Sequence, residues 1–146
     1  MDKKEKRISR CLCLEILYAN TYSNNNFEEV LENFFNEKDN ALDYQLNSEQ
    51  IKYATKLYDI TLKHVSEVDK LIESKLVNWE IKRLALMDKI ILRMAISEML
   101  FIDEVPPKVS IAEGVEIAKE FSTDDSSGFV NGILDAIYNQ KCKNKV

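Results

Sequence analysis

Arg7, Arg10 and Tyr18 lie within the stretch KRISRCLCLEILYAN near the start of the chain. At 100° per residue, Arg7 and Tyr18 fall almost in line on a helix, with Arg10, Lys3 and Lys4 on the same broad side. Lys6 adds a further cation. Phosphate groups pair with cations held on a rigid helix, and splayed bases stack on aromatic rings. This stripe therefore suits single-stranded RNA. Tyr18 fits equally a half-buried core position with its hydroxyl outward. A second polar cluster is STDDSSGFVNGILDAI, residues 122–137, with Asp125, Ser126 and Phe129. Phe129 offers a ring. Asp125 can accept from a base amino group or cap the helix that starts there. Gly128 and Gly132 lie four apart on one helical face, although glycine in a helix costs about 1 kcal/mol relative to alanine. Close approach of another backbone accounts for Gly132, and room for RNA or for the first helix accounts for Gly128.

Other chemistry finds little support. Cys11 and Cys13 are two apart on a helix and point to nearly opposite sides, and Cys142 is remote. Three thiols without framework spacing suggest free cysteines in a reducing compartment. The single histidine, His64, has no cysteine cluster near it in sequence and suits a surface or boundary position. No Gly-rich phosphate loop follows a strand pattern. We therefore expect no catalytic residue, no metal ligand and no cofactor, and hence a binding protein.

The whole chain has 146 residues, 45% of them hydrophobic, and a net charge of −5. One domain of this length buries a sizeable core without disulfides. The charge is uneven. Residues 1–10 carry Lys3, Lys4, Lys6, Arg7 and Arg10 against Asp2 and Glu5, and three lysines lie at 141–146, which leaves the segment between strongly acidic. A basic arm on an acidic body predicts two partners, one of them polyanionic. No apolar run approaches the roughly 20 residues of a membrane span. The start of the chain lacks a signal-peptide pattern, so a cytoplasmic location and no membrane partner are expected.

The apolar pattern predicts helices throughout. The first covers about 3–20. Asn25 and Asn26 offer caps for a second, with Phe27, Val30, Leu31, Phe34 and Phe35 on one face. Residues 38–47 suit a loop. A long helix is predicted from Ser48 through Ile72, breaking near Val77–Trp79. A short helix at 80–86 precedes a central apolar one from Asp88 to Phe101. Pro106 restricts Val105 and so ends that helix. Ser110 and Glu113 form a capping box for the next, which runs to about Phe121, and the last covers 125–140. About seven helices with short connections predict a compact all-α bundle.

Three stretches resemble the NusB family of bacterial antitermination factors: residues 6–19, IDEVPPKVSIAEGVEIAK, and DDSSGFVNGILD within residues 83–137. The resemblance implies one all-helical domain over 1–146, built of two packed helical subdomains. It implies binding of boxA RNA together with NusE, a small-subunit ribosomal protein, in a complex with RNA polymerase and other Nus factors that supports rRNA transcription. Arg7, Arg10, Tyr18, Asp125, Ser126 and Phe129 match the family's RNA-contacting positions. Asp88, Glu98 and the linker Val105, Pro106, Pro107 and Lys108 are expected on the NusE-facing surface. Monomer and homodimer both stay open. Three departures from the family pattern stand out: Ile8 where relatives are often basic, Pro107 where they have tyrosine, and Gly128 where they have lysine. Lys3, Lys4 and Lys6 compensate for the first. Two alternatives compete, a NusB-like domain of an RNA cytosine methyltransferase and an all-α protein-interaction module without RNA.

Overall fold

The computed structural model describes residues 1–21, 28–30, 32, 46–77 and 80–143. The helices are α1 (Lys3–Asn20), α2 (Ser48–Lys63), α3 (Val65–Lys75), a 3-10 turn (Ile81–Arg83), α4 (Leu86–Phe101), α5 (Pro107–Phe121) and α6 (Asp124–Lys141). No strand occurs among the described residues. The helix expected around Phe27–Phe35 lies mostly outside the described residues, although 28–30 and 32 are helical and Val30 is buried. Residues 38–45, Trp79 and the last three residues also lie outside them. The chain divides into two compact units, Met1–Asp59 and Ile60–Val146.

In the first unit, Asp2 caps α1 by accepting from the Glu5 N–H at 2.8 Å. Leu12, Cys13, Leu14 and Ile16 are fully buried. Ahead of α2, Asn47 and Gln50 cap each other reciprocally. The Gln50 N–H donates to Asn47 Oδ1 at 2.9 Å, and the Asn47 N–H donates to Gln50 Oε1 at 2.8 Å. Gln50 Nε2 then donates to the Glu5 carbonyl at 3.1 Å, tying the start of α2 to α1. Asn20 Nδ2 donates to the Tyr58 hydroxyl near the other end of α1.

The long helix predicted from Ser48 is two helices, divided at His64. Its N–H donates to the Ile60 carbonyl and closes α2, while its own carbonyl accepts from Val68 and opens α3. The backbone there has φ −107° and ψ 13°, in the sparsely occupied bridge region. The imidazole stacks on Phe101, with centroids 3.7 Å apart, and Nδ1 pairs with Glu67. The break coincides with this tertiary stacking contact, where no glycine or proline announces it.

In the second unit α4 packs between its neighbours, as its apolar composition demands. Ile91, Leu92 and Ile96 are fully buried. Asp69 on α3 receives two hydrogen bonds from Arg93 on α4, both 2.8 Å. Three boundaries differ from expectation. The short helix at 80–86 is a 3-10 turn over Ile81–Arg83, and α4 begins at Leu86. Its end at Phe101 is where it was expected, though the chain leaves the helix before the prolines act. Those prolines instead open α5, with Pro106 at the cap and Pro107 as the first helical residue, where its missing N–H costs nothing. Ser110 and Glu113 are consequently interior and buried rather than a capping box. The Ser110 hydroxyl donates to Glu98 Oε1 at 2.8 Å.

Close packing of helices singles out Gly114, not Gly132. A Cβ at Gly114 would sit 3.0 Å from Leu134 Cδ1 and 3.2 Å from Ala95 Cβ, so α4, α5 and α6 converge there. At Gly128 and Gly132 an added Cβ would meet nothing within 4 Å among the described residues, which overturns the close-approach explanation for Gly132.

Candidate nucleic-acid interface

In the first unit, the cations of α1 divide by depth. Lys3 and Lys4 are exposed, Lys6 and Arg7 are half-buried, and Arg10 is only 3% exposed. Arg10 therefore leaves the solvent-facing stripe expected for it. Its guanidinium lies 5.9 Å from the centre of the Tyr53 ring on α2, and Lys6 Nζ lies 5.1 Å from the same ring. Cation–π attraction of this kind is worth about 0.5–2 kcal/mol and holds the helix start to α2. Sequence reasoning missed Tyr53, because a tyrosine on an amphipathic helix carries no separate signal. Tyr18 is 41% exposed, which favours the available ring over the half-buried one. Cys11 and Leu14, which share its side of the helix, are buried. The cationic turn and the ring thus occupy opposite ends of α1, with a covered middle.

In the second unit, an open groove of about 530 Å³ has Asp125, Ser126, Phe129 and Ile133 of α6 on one wall. Leu76, Val77, Leu84 and Ala85 face them, with Lys75 and Asp88 also lining it. Mostly apolar, with a ring and carboxylates on one side, it matches a planar base better than a phosphate. Asp125 and Phe129 are one helical turn apart, so the helix itself sets both against the groove.

Asp125 does not cap α6. That role falls to Thr123, whose Oγ1 accepts from the Ser126 N–H at 3.3 Å. Ser126 is buried, and its hydroxyl donates to Asp88 Oδ2 at 3.0 Å. Ser126 thus lines the groove from a largely buried position. The Ser122 hydroxyl donates to Asp88 Oδ1 at 2.7 Å, and Thr123 Oγ1 lies 2.9 Å from Ser126 Oγ.

The surface expected to face a protein partner is also revised. Asp88 is 8% exposed and Glu98 2%, and each accepts hydrogen bonds from serines of the fold. Val105 is buried as well. Pro106 and Lys108 of the linker are exposed, with Pro107 half-buried between them. Lys108 Nζ lies 5.8 Å over the Tyr138 ring. Exposed Asp103 and Glu104 precede them. Among the described residues no group of three or more His, Cys, Asp or Glu side chains could hold a metal ion.

A sequence model of the NusB family matches residues 7–139, from the cationic turn of α1 almost to the end of α6. The chain belongs to the NusB family. A relative from Chloroherpeton thalassium, transcription antitermination protein NusB, is 39% identical over 92% of this chain, and the match spans 62% of that relative's length. Among solved structures, T. maritima NusB superposes with a TM-score of 0.79 at 31% identity, covering 93% of this chain and 92% of that one. A chain in the crystal structure of antitermination factors NusB and NusE in complex with dsRNA superposes with a TM-score of 0.80 at 27% identity, covering 95% and 99%. The NusB-family fold is thus the scaffold on which both the α1 cations and the α6 groove are displayed.

Proposed function

We propose that this chain is a transcription antitermination factor that binds boxA RNA together with NusE, as part of an RNA polymerase complex that supports rRNA transcription. The observation that carries the RNA reading is the groove in which Asp125 and Phe129 stand together. It supplies a stacking ring beside a carboxylate that accepts from base amino groups. Lys3, Lys4, Lys6 and Arg7 on α1 supply phosphate contacts, and Tyr18 a second ring. Arg10 and Ser126 serve the interface from within, one by holding α1 to Tyr53 and the other by holding α6 to Asp88. The names of the relatives support the same reading, transcription antitermination protein NusB among them, and the matching chain from a NusB–NusE–dsRNA crystal structure supports NusE as partner.

NusE is proposed to contact the exposed Pro106–Lys108 segment with Asp103 and Glu104 beside it. The protein acts as a cytoplasmic adaptor rather than an enzyme. Among the described residues no helix is long and apolar enough to cross a membrane. Calorimetry with boxA RNA, with and without NusE, tests the proposal. NusE should tighten RNA binding, because a joint surface buries more of the RNA than either protein alone. A mixture that forms no complex with NusE at low salt contradicts the partner assignment.

A further inference from the structure

We propose that Asp88 is a positioning residue for the RNA groove: it clamps the start of α6 so that Asp125 and Phe129 face the groove in one fixed orientation. This rests on the groove's being the base-binding element. Asp88 belongs to the first turn of α4, where the helix dipole favours a carboxylate. Its two oxygens are used separately. Oδ1 accepts from Ser122, the residue that ends α5, and Oδ2 accepts from Ser126, in the first turn of α6. Thr123 joins the set by capping α6 and contacting the Ser126 hydroxyl. One buried carboxylate therefore ties three helix termini together at the groove wall. The hydroxyl donors account for the presence of this charge in a site 8% exposed, since a buried carboxylate is tolerated where its lone pairs are satisfied. They also account for Ser122, Thr123 and Ser126 in this polar run, while Asp124 and Asp125 stay exposed and Asp125 lines the groove. Asp125 follows Thr123 by two residues and Phe129 follows Ser126 by three, so any rotation of the α6 start would move both.

The proposal separates Asp88 from a direct RNA contact. A carboxylate that touched RNA would act through its charge and would be indifferent to Ser122. A clamp acts through the hydroxyls, so Ser122→Ala should reproduce the effect of Asp88→Ala although Ser122 does not line the groove. The test is binding of a labelled boxA RNA oligonucleotide to the full chain carrying Asp88→Ala or Ser122→Ala, each alone and combined with Phe129→Ala. We expect each single change to weaken binding by up to about tenfold, with the slope against log salt unaltered, because the phosphate contacts of α1 are untouched. In the Phe129→Ala background the further loss should vanish, the signature of residues acting through one another. Ser122→Ala removes one hydroxyl, so it keeps the test decisive where Asp88→Ala fails to fold. Equal losses with and without Phe129, or no loss in a folded Ser122→Ala protein, would overturn the clamp while leaving the groove reading intact. Unchanged binding by Phe129→Ala alone would overturn both.

Discussion

Asp125, Ser126 and Phe129 all line the groove, but only the Ser126 side chain is tied to Asp88, and each position makes a distinct prediction. Because Thr123 caps α6, Thr123→Ala should lower stability by about 0.5–2 kcal/mol. Asp125→Asn should melt like the parent, yet bind RNA differently: losing a negative charge strengthens overall affinity, and the amide donor relaxes discrimination between boxA and scrambled RNA. Thermal melts paired with binding to both RNAs check this, and unchanged affinities for both would remove Asp125 from the site. The glycines separate just as clearly. Gly114→Ala forces a Cβ against Leu134 and Ala95 and should cost about 1–3 kcal/mol. Gly128→Ala and Gly132→Ala meet no such contact and should each stabilise by roughly 0.4–1 kcal/mol. Denaturant titration compares all three. Sequence alone suggested a packed face at Gly132, because spacing shows that two glycines share a face but not what lies opposite that face.

Helices with an apolar stripe were legible because burial imposes a 3.6-residue period on their composition. The α4, α5 and α6 ranges lie within two or three residues of expectation, apart from the prolines' shift from ending α4 to opening α5. What periodicity could not reveal is where a continuous pattern is interrupted by tertiary contact. At His64 the apolar rhythm runs on, but α2 and α3 divide at the residue that stacks on Phe101. Depth was similarly illegible on α1, since Arg10 enters the interior beneath Tyr53 from a stripe that helical projection assigns to solvent. Asp88 and Glu98 are acidic like any surface residue, and serines that face them from distant sequence positions help to explain their burial. At the far end of α1, Tyr58 is buried, which raises its phenol above the usual value of 10.0, while the Asn20 hydrogen bond opposes the shift. A phenol whose folded pKa is raised contributes stability that is fully present below about pH 10 and is lost as pH rises toward the folded value. The parent should therefore lose more thermal stability than Tyr58→Phe between pH 9 and pH 11. Equal losses would contradict the burial account.

Two surfaces with different chemistry coexist on one small chain: a cationic helix start in the unit Met1–Asp59 and an apolar, carboxylate-edged groove in Ile60–Val146. The first should dominate the salt dependence of RNA binding and the second its sequence preference, because phosphate contacts position a nucleic acid while base contacts specify it. The overall acidic charge of −5 works against nonspecific RNA binding, which gives local clusters of cations such as the one at the start of α1 more weight. The all-α fold class follows from pattern and from resemblance to the family, and the proposed site residues were nominated from the same two sources. Their division of labour follows only from depth and hydrogen bonding. The most direct measurement is affinity for boxA and scrambled RNA across a salt series, made on the parent, on a Lys3→Ala/Lys4→Ala/Arg7→Ala protein and on Phe129→Ala. The triple change should flatten the salt slope by up to about 0.7 per lost phosphate contact while keeping the preference for boxA. Phe129→Ala should keep the slope and lose the preference. A parent that binds the two RNAs equally, or a triple variant with an unchanged slope, would contradict the account.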